Sequence, residues 1–129
     1  MAKKSKLKKI NDELDKTWAK IVKILAKNCC EYCGVGSPLN SHHIYSRSNL
    51  STRWNVLNGV CLCVSHHTFN STFSAHKTPT EFTQWLYETK GEDFMDELRI
   101  KAHSDGKMSI SEREELLLEL KQQLKELEQ

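Results

Sequence analysis

Residues 28–77 carry every cysteine and five of the six histidines of this 129-residue chain, and their apolar residues are too scattered to close a core. Three of the five glycines and one of the two prolines also fall there and interrupt any helical period. A segment this poor in buriable surface needs a staple, and a metal is the one its side chains can supply. Five cysteines, an odd number mixed with histidines, read as metal ligands before disulfides, as expected for a reducing, cytoplasmic setting.

The flanks are helical in pattern. Leu7, Ile10, Leu14, Trp18, Ile21, Val22 and Leu25 recur at three- and four-residue steps, which predicts one amphipathic helix over about 5–27. Thr78, Pro79 and Glu81 predict the start of another, with Thr78 and Glu81 as a capping box and Phe82, Trp85 and Leu86 on its core face. Phe94, Leu98 and Ala102 mark a third, and Ser111 with Glu114 reads as a capping box for a fourth. Leu117, Leu120, Leu124 and Leu127 repeat along that last helix. They serve either to pack against the N-terminal helix or, through residues 111–128, to meet a partner helix or a second copy of the chain. The expected organisation is one α+β domain: a basic N-terminal helix over 1–28, a metal-bearing core over 29–79 and C-terminal helices over 80–129.

A net charge of +2 hides an asymmetry. Residues 1–27 hold nine lysines against three acids, residues 28–77 are mildly basic, and residues 78–129 are acidic. A basic front half suits a polyanion, whose counterions are released on contact; Lys3, Lys4, Lys6, Lys8 and Lys9 are its first candidates. The start "MAKKSKLKK" has no apolar run after it, since "IVKILA" is short and interrupted by Lys23, so neither export nor a membrane span is expected.

Within the core, "CEYCG" places Cys30 and Cys33 two residues apart and follows them with Gly34, the shape of a zinc knuckle. Cys63 and His66 repeat that gap thirty residues later. Cys29 and Cys61 are close enough to substitute, but Cys30, Cys33, Cys63 and His66 give both halves the same spacing. Four ligands close a tetrahedron and make the site structural. His67 cannot easily serve the same ion as His66, because neighbours on a helix diverge by about 100°. It belongs to a second site. His42 and His43, before Ile44, sit at the end of a predicted strand, and Asn58-Gly59 forms a turn into a second strand, "VCLC".

The order "CEYCG", "HHI", "NGVCLC", "HH" resembles the HNH endonucleases, small phage-type members in particular, over about residues 30–79. That resemblance implies a ββα-metal fold stapled by a zinc knuckle and the hydrolysis of DNA phosphodiesters. It implies His43 as general base, Asn58 as the residue that orients it, and His67 as a member of both the catalytic and the metal-binding sets. It also implies one divalent ion (Mg2+, Mn2+, Ni2+ or Zn2+) held by His42, His67 and a further ligand. Two positions depart from the family pattern. His66 stands where many members have cysteine, and Ser71 stands where the further ligand is often found, so His76 is the candidate for that role. Asn58 reads equally as a plain turn residue before glycine.

Arg47 and Arg53, the only arginines before Arg99, are candidates to grip phosphate beside the ion. Trp54 is expected in the core, and His103 has no assigned role. Two other functions compete: a zinc-stabilised DNA-binding module without catalysis, and an adaptor built on the C-terminal leucine helix. The first has no use for His43 beside a second metal, and the second leaves every histidine unexplained.

Overall fold

The computed structural model describes residues 5–129, in which four helices surround one two-stranded antiparallel hairpin, an α+β architecture. Helix α1 spans Lys6–Leu25, strands β1 and β2 span Leu39–His43 and Gly59–Cys63, and helices α2, α3 and α4 span Pro79–Lys90, Glu92–Ala102 and Ile110–Leu127. Ser5 caps α1, its hydroxyl accepting from the Lys8 amide at 3.1 Å. Among the described residues no helix is long and apolar enough to cross a membrane.

The hairpin separates two apolar clusters. On one side Ile10, Leu14, Trp18, Ile21 and Val22 of α1 pack with Trp54, Cys61 and the α4 residues Leu117 and Leu120. On the other, Val60 and Leu62 meet Phe73, Phe82, Leu86 and Met95. The leucine repeat of α4 thus packs on α1, Leu124 and Leu127 included, while Leu118 on the opposite face stays exposed. Leu7 and Leu25, at the two ends of the predicted stripe, are exposed.

Pairing runs from Leu39 opposite Cys63 to His43 opposite Gly59. Strand alternation sends Val60 and Leu62 to one cluster and Cys61 to the other, while Cys63 at the strand end joins the Val60 side. Gly59 is required where α1 crosses the hairpin: a Cβ there would collide with Val22 and stand 2.9 Å from Trp18 Cζ2.

Both predicted capping boxes differ from the structure. Thr78 precedes α2, but its hydroxyl accepts from the Ser74 amide (2.9 Å) and donates to the Ser74 carbonyl (3.0 Å), so it closes the preceding turn instead. The box of α4 is formed by Ser109 and Glu112, two residues earlier than expected. Two overlapping Ser-x-x-Glu patterns compete there. The earlier start lets Arg113 donate to the Met108 carbonyl (3.2 Å) and to Asn11 on α1 (2.8 Å).

Candidate metal centres and the histidine between them

Two separate groups of side chains could hold a metal. Cys30, Cys33, Cys63 and His66 form one, and His42, His67 and His76 the other; within each, the ligand atoms all lie within 4.8 Å of one another.

The first group is assembled by backbone. The Gly34 amide donates to the Cys30 carbonyl and the Cys30 amide to the Val35 carbonyl, both at 2.8 Å, with Gly34 at φ +84°, a conformation suited to glycine. Glu31 fastens this turn to β2: its amide donates to the Cys61 carbonyl (2.8 Å), its carboxylate accepts from the Cys61 amide (2.7 Å), and Lys90 pairs with it at 3.1 Å. Cys33 Sγ then stands 3.8 Å from Cys63 Sγ, and Cys63 Sγ stands 3.2 Å from His66 Nδ1. Tyr32 stacks on Phe73 at 3.7 Å and lies 4.8 Å from the His66 ring, covering one side.

The chemistry of these donors suits zinc. Burial opposes ionisation of Cys30, but backbone hydrogen bonds with Cys33, Cys63 and Tyr32 outweigh it and lower its pKa. At Cys33 a backbone hydrogen bond with Val35 favours the thiolate, yet burial and the adjoining sulfurs of Cys30 and Cys63 together raise the pKa. Sulfurs this close cannot all be anionic unless a cation sits among them. The structure also separates the candidate cysteines. Cys61 faces the α1 cluster, where burial pushes its thiol up to about 11, and the Cys29 thiol donates to the Lys27 carbonyl at 3.4 Å. Neither belongs to the group.

The second group lies across the hairpin from α1. His42 Nδ1 is 3.1 Å from His67 Nε2, and His76 Nε2 is 3.2 Å from the same nitrogen. After β2 the chain makes a single helical turn over Ser65–Phe69, and this sends His66 and His67 to different groups. His76 returns because the Ala75 and His76 amides donate to the His66 and His67 carbonyls at 2.9 and 3.1 Å. Thr68 Oγ1, 3.2 Å from His67 Nδ1, can accept its N–H and leave Nε2 as a lone pair. Burial, and then the neighbouring imidazoles, drive His42 down to about 3, so its ring stays neutral. No carboxylate is among the converging atoms, and three imidazole nitrogens directed at one point are a donor set for a divalent ion.

His43, next in the strand, faces the other way. Its ring stacks on Trp18 with centroids 3.9 Å apart and planes at 10°, and its Nε2 is 2.9 Å from the Arg53 carbonyl. A carbonyl only accepts, so Nε2 carries the proton and Nδ1 is the basic nitrogen. Burial lowers the pKa of His43. The ring is a neutral base with a fixed tautomer.

Two expected roles change. Asn58 does not touch His43: its buried side chain accepts from the Tyr45 amide (2.8 Å) and donates to the Tyr45 carbonyl (3.0 Å), pinning the chain just after the histidine pair. Arg53 is not available to phosphate. Its Nε and Nη2 donate to Asp15 at 3.1 and 2.8 Å, and its side chain is only 15% exposed. Arg47 also donates to Asp15 at 2.9 Å, but at 64% exposure it keeps a face open to solvent. Asp15, which also accepts from Trp54 Nε1 at 2.8 Å, is the residue that sequence reasoning missed together with Trp18 and Glu31. The two arginines in a lysine-rich front half were the signal that a half-buried carboxylate needed a planar partner.

Lys3 and Lys4 lie outside the described residues. Lys6 faces Glu114 at 3.2 Å and Lys8 faces Asp12 at 3.7 Å, so their charges are partly answered within the fold. Trp54 is buried as expected.

Comparison with protein-family models, with curated proteins and with solved structures finds no match to this chain.

Proposed function

We propose that the chain is a metal-dependent DNA endonuclease of the HNH type, with a ββα-metal core stapled by a structural zinc on Cys30, Cys33, Cys63 and His66. The observation that supports it most is the division of labour between two adjacent residues of β1. His42 joins a three-imidazole cluster, while His43 stays outside it with one nitrogen tied and the other free. A zinc-stabilised binding module has no need of that arrangement.

A divalent cation on His42, His67 and His76 would supply positive charge to the scissile phosphate and to the leaving oxygen. His43 Nδ1 takes a proton from water. The water oxygen forms the new bond to phosphorus and the P–O3′ bond breaks, and the leaving oxygen takes a proton from solvent, giving a 5′-phosphate and a 3′-hydroxyl. Asn58 acts through the backbone of Tyr45, Asp15 holds the loop that presents the Arg53 carbonyl to the base, and Trp18 stacks on its ring. A reduced cytoplasmic interior, as in a phage-infected cell, would keep the four-ligand site intact.

Plasmid nicking with metal-depleted and metal-supplemented protein tests the reading. DNA binding with no nicking under any of Mg2+, Mn2+, Ni2+ or Zn2+ would return the chain to the class of non-catalytic modules. His76 gives a graded version of the test, because it is exposed and, among the described residues, its hydrogen bonds and ring contacts are with the cluster and its own turn. His76→Ala should raise the metal concentration for half-maximal nicking by at least about tenfold, the scale seen when even ligand-supporting groups are lost. The maximal rate should partly recover at saturating metal, and an unchanged metal requirement would remove His76 from the site.

Affinity for the DNA backbone is assigned to a set of lysines that shares only Lys9 with the first candidates. At 100° per residue Lys9, Lys16, Lys20 and Lys23 fall within an arc of about 60° on α1, with Lys27 just past its end. Among the described residues none of these lysines is ion-paired, and no acid occurs between Asp15 and Glu31. The stripe borders β1, where Ser41 Oγ donates to the Ala19 carbonyl at 2.7 Å. Replacing Lys16, Lys20 and Lys23 with glutamine should weaken binding to every DNA sequence alike. The salt dependence should flatten by up to about 0.9 for each phosphate that is no longer neutralised. An unchanged slope would make the stripe a solvated face.

A further inference from the structure

A cavity of about 310 Å³ opens beside His42, between the chain after β1 and helices α2 and α3. Its walls are Ile44, Tyr45, Phe82, Thr83, Tyr87 and Met95, and His42 closes the side nearest the imidazole cluster. Phe82 is common to both, its ring edge-on to His42 at 5.3 Å. No lysine, arginine or carboxylate lines the cavity. A larger groove of about 410 Å³, along α3 by Leu57 and Ile100, contains none of the histidines.

A phosphate at His42 brings its own nucleoside to within one nucleotide's reach of this cavity. The walls are aromatic and thioether surfaces that suit the faces of a flat ring, and Tyr87 and Thr83 are among the lining residues, the Thr83 hydroxyl donating to the Pro79 carbonyl at 2.8 Å and left to accept. The volume lies at the low end of small-ligand pockets, about 300–1,000 Å³, which limits the occupant to something near a single ring system. A base inside a duplex cannot enter without leaving the stack, a step that costs least for a nucleotide already unpaired.

We propose that this cavity receives one unstacked nucleobase of the strand being cut, so that DNA carrying an unpaired nucleotide beside the scissile phosphate is the preferred substrate. The inference rests on the nuclease reading and gives that site its substrate class. Asn58 acquires a second consequence: by pinning Tyr45 at both backbone atoms it holds a wall of the pocket as well as the end of the histidine strand.

The test uses zinc-loaded His43→Ala protein with Mg2+, so that binding is read without cleavage, and two duplexes identical except for one bulged position. That position carries adenine in one duplex and an abasic residue in the other. The adenine bulge should bind about tenfold more tightly, in keeping with the stacking contribution of one base. Thr83→Trp, which fills the mouth from an exposed helical position, and Tyr87→Ala, which removes an exposed wall, should each erase that difference while leaving the affinity for the abasic duplex unchanged. Equal affinity for the two duplexes, or a difference that survives both variants, overturns the proposal. If wild-type protein nicks DNA while the two bulges bind alike, the pocket assignment fails and the nuclease reading stands. If wild-type protein nicks no DNA with any metal, both fail.

Discussion

Cys33→Ser is expected to lose one metal equivalent and to unfold the segment around the hairpin, whereas Cys29→Ser should leave both untouched. The two residues are near neighbours in sequence, and Cys29 is close enough to Cys30 to substitute for it, yet only the Cys33 sulfur faces Cys63, at 3.8 Å. The Cys29 thiol is turned to the Lys27 carbonyl. Structural zinc contributes about 10–16 kcal/mol of binding free energy in small zinc-finger peptides, comparable to or larger than the whole stability of a typical domain, so loss of a ligand cannot be absorbed locally. Cobalt substitution separates this group from the imidazole cluster, because only the cysteine-bearing group gives thiolate-to-metal absorption. Thermal melting of the two variants beside wild type then reads the consequence. A Cys33→Ser protein with wild-type melting and full cobalt–thiolate absorption would end the assignment.

His43→Ala should lower nicking by about a hundredfold to ten-thousandfold, the usual contribution of a general base, while DNA affinity stays close to wild type. The ring is not a core residue, but its removal uncovers one face of Trp18 and leaves the Arg53 carbonyl without its partner. A stability loss on the order of 1 kcal/mol is therefore expected and must be measured beside the rate. Nicking retained within about tenfold of wild type would take His43 out of the chemistry. Loss of DNA binding in parallel with loss of nicking would mean that the ring serves structure rather than proton transfer.

Several features of the site could be read from the chain because the rules that set them act within a single turn. The spacings of Cys30 with Cys33 and of Cys63 with His66 allow two donors to face one ion. The divergence of neighbours on a helical turn separates His66 from His67. The weak helix formers after Phe69, with Pro79 beyond them, end one turn and start another helix, which leaves His76 in a connecting segment. The long α1 stripe and the α4 leucines announce their helices in the same way, by period alone.

Other features required the tertiary structure, since they depend on partners far away along the chain. Nothing local pairs Arg53 with Asp15, thirty-eight residues away, yet that pairing turns a candidate phosphate ligand into a strut. Nothing near Asn58 points to the Tyr45 backbone rather than to His43. Cys61 and Cys63 share strand β2, and only the cluster each one faces makes the first a core thiol and the second a candidate metal ligand. The capping serine of α4 is chosen by Arg113 reaching Asn11 on α1. Sequence by itself determined which residues could act together within a turn or across a repeated spacing. The fold decided which of them do, because burial, strand face and long-range hydrogen bonds exist only once α1 has closed over the hairpin.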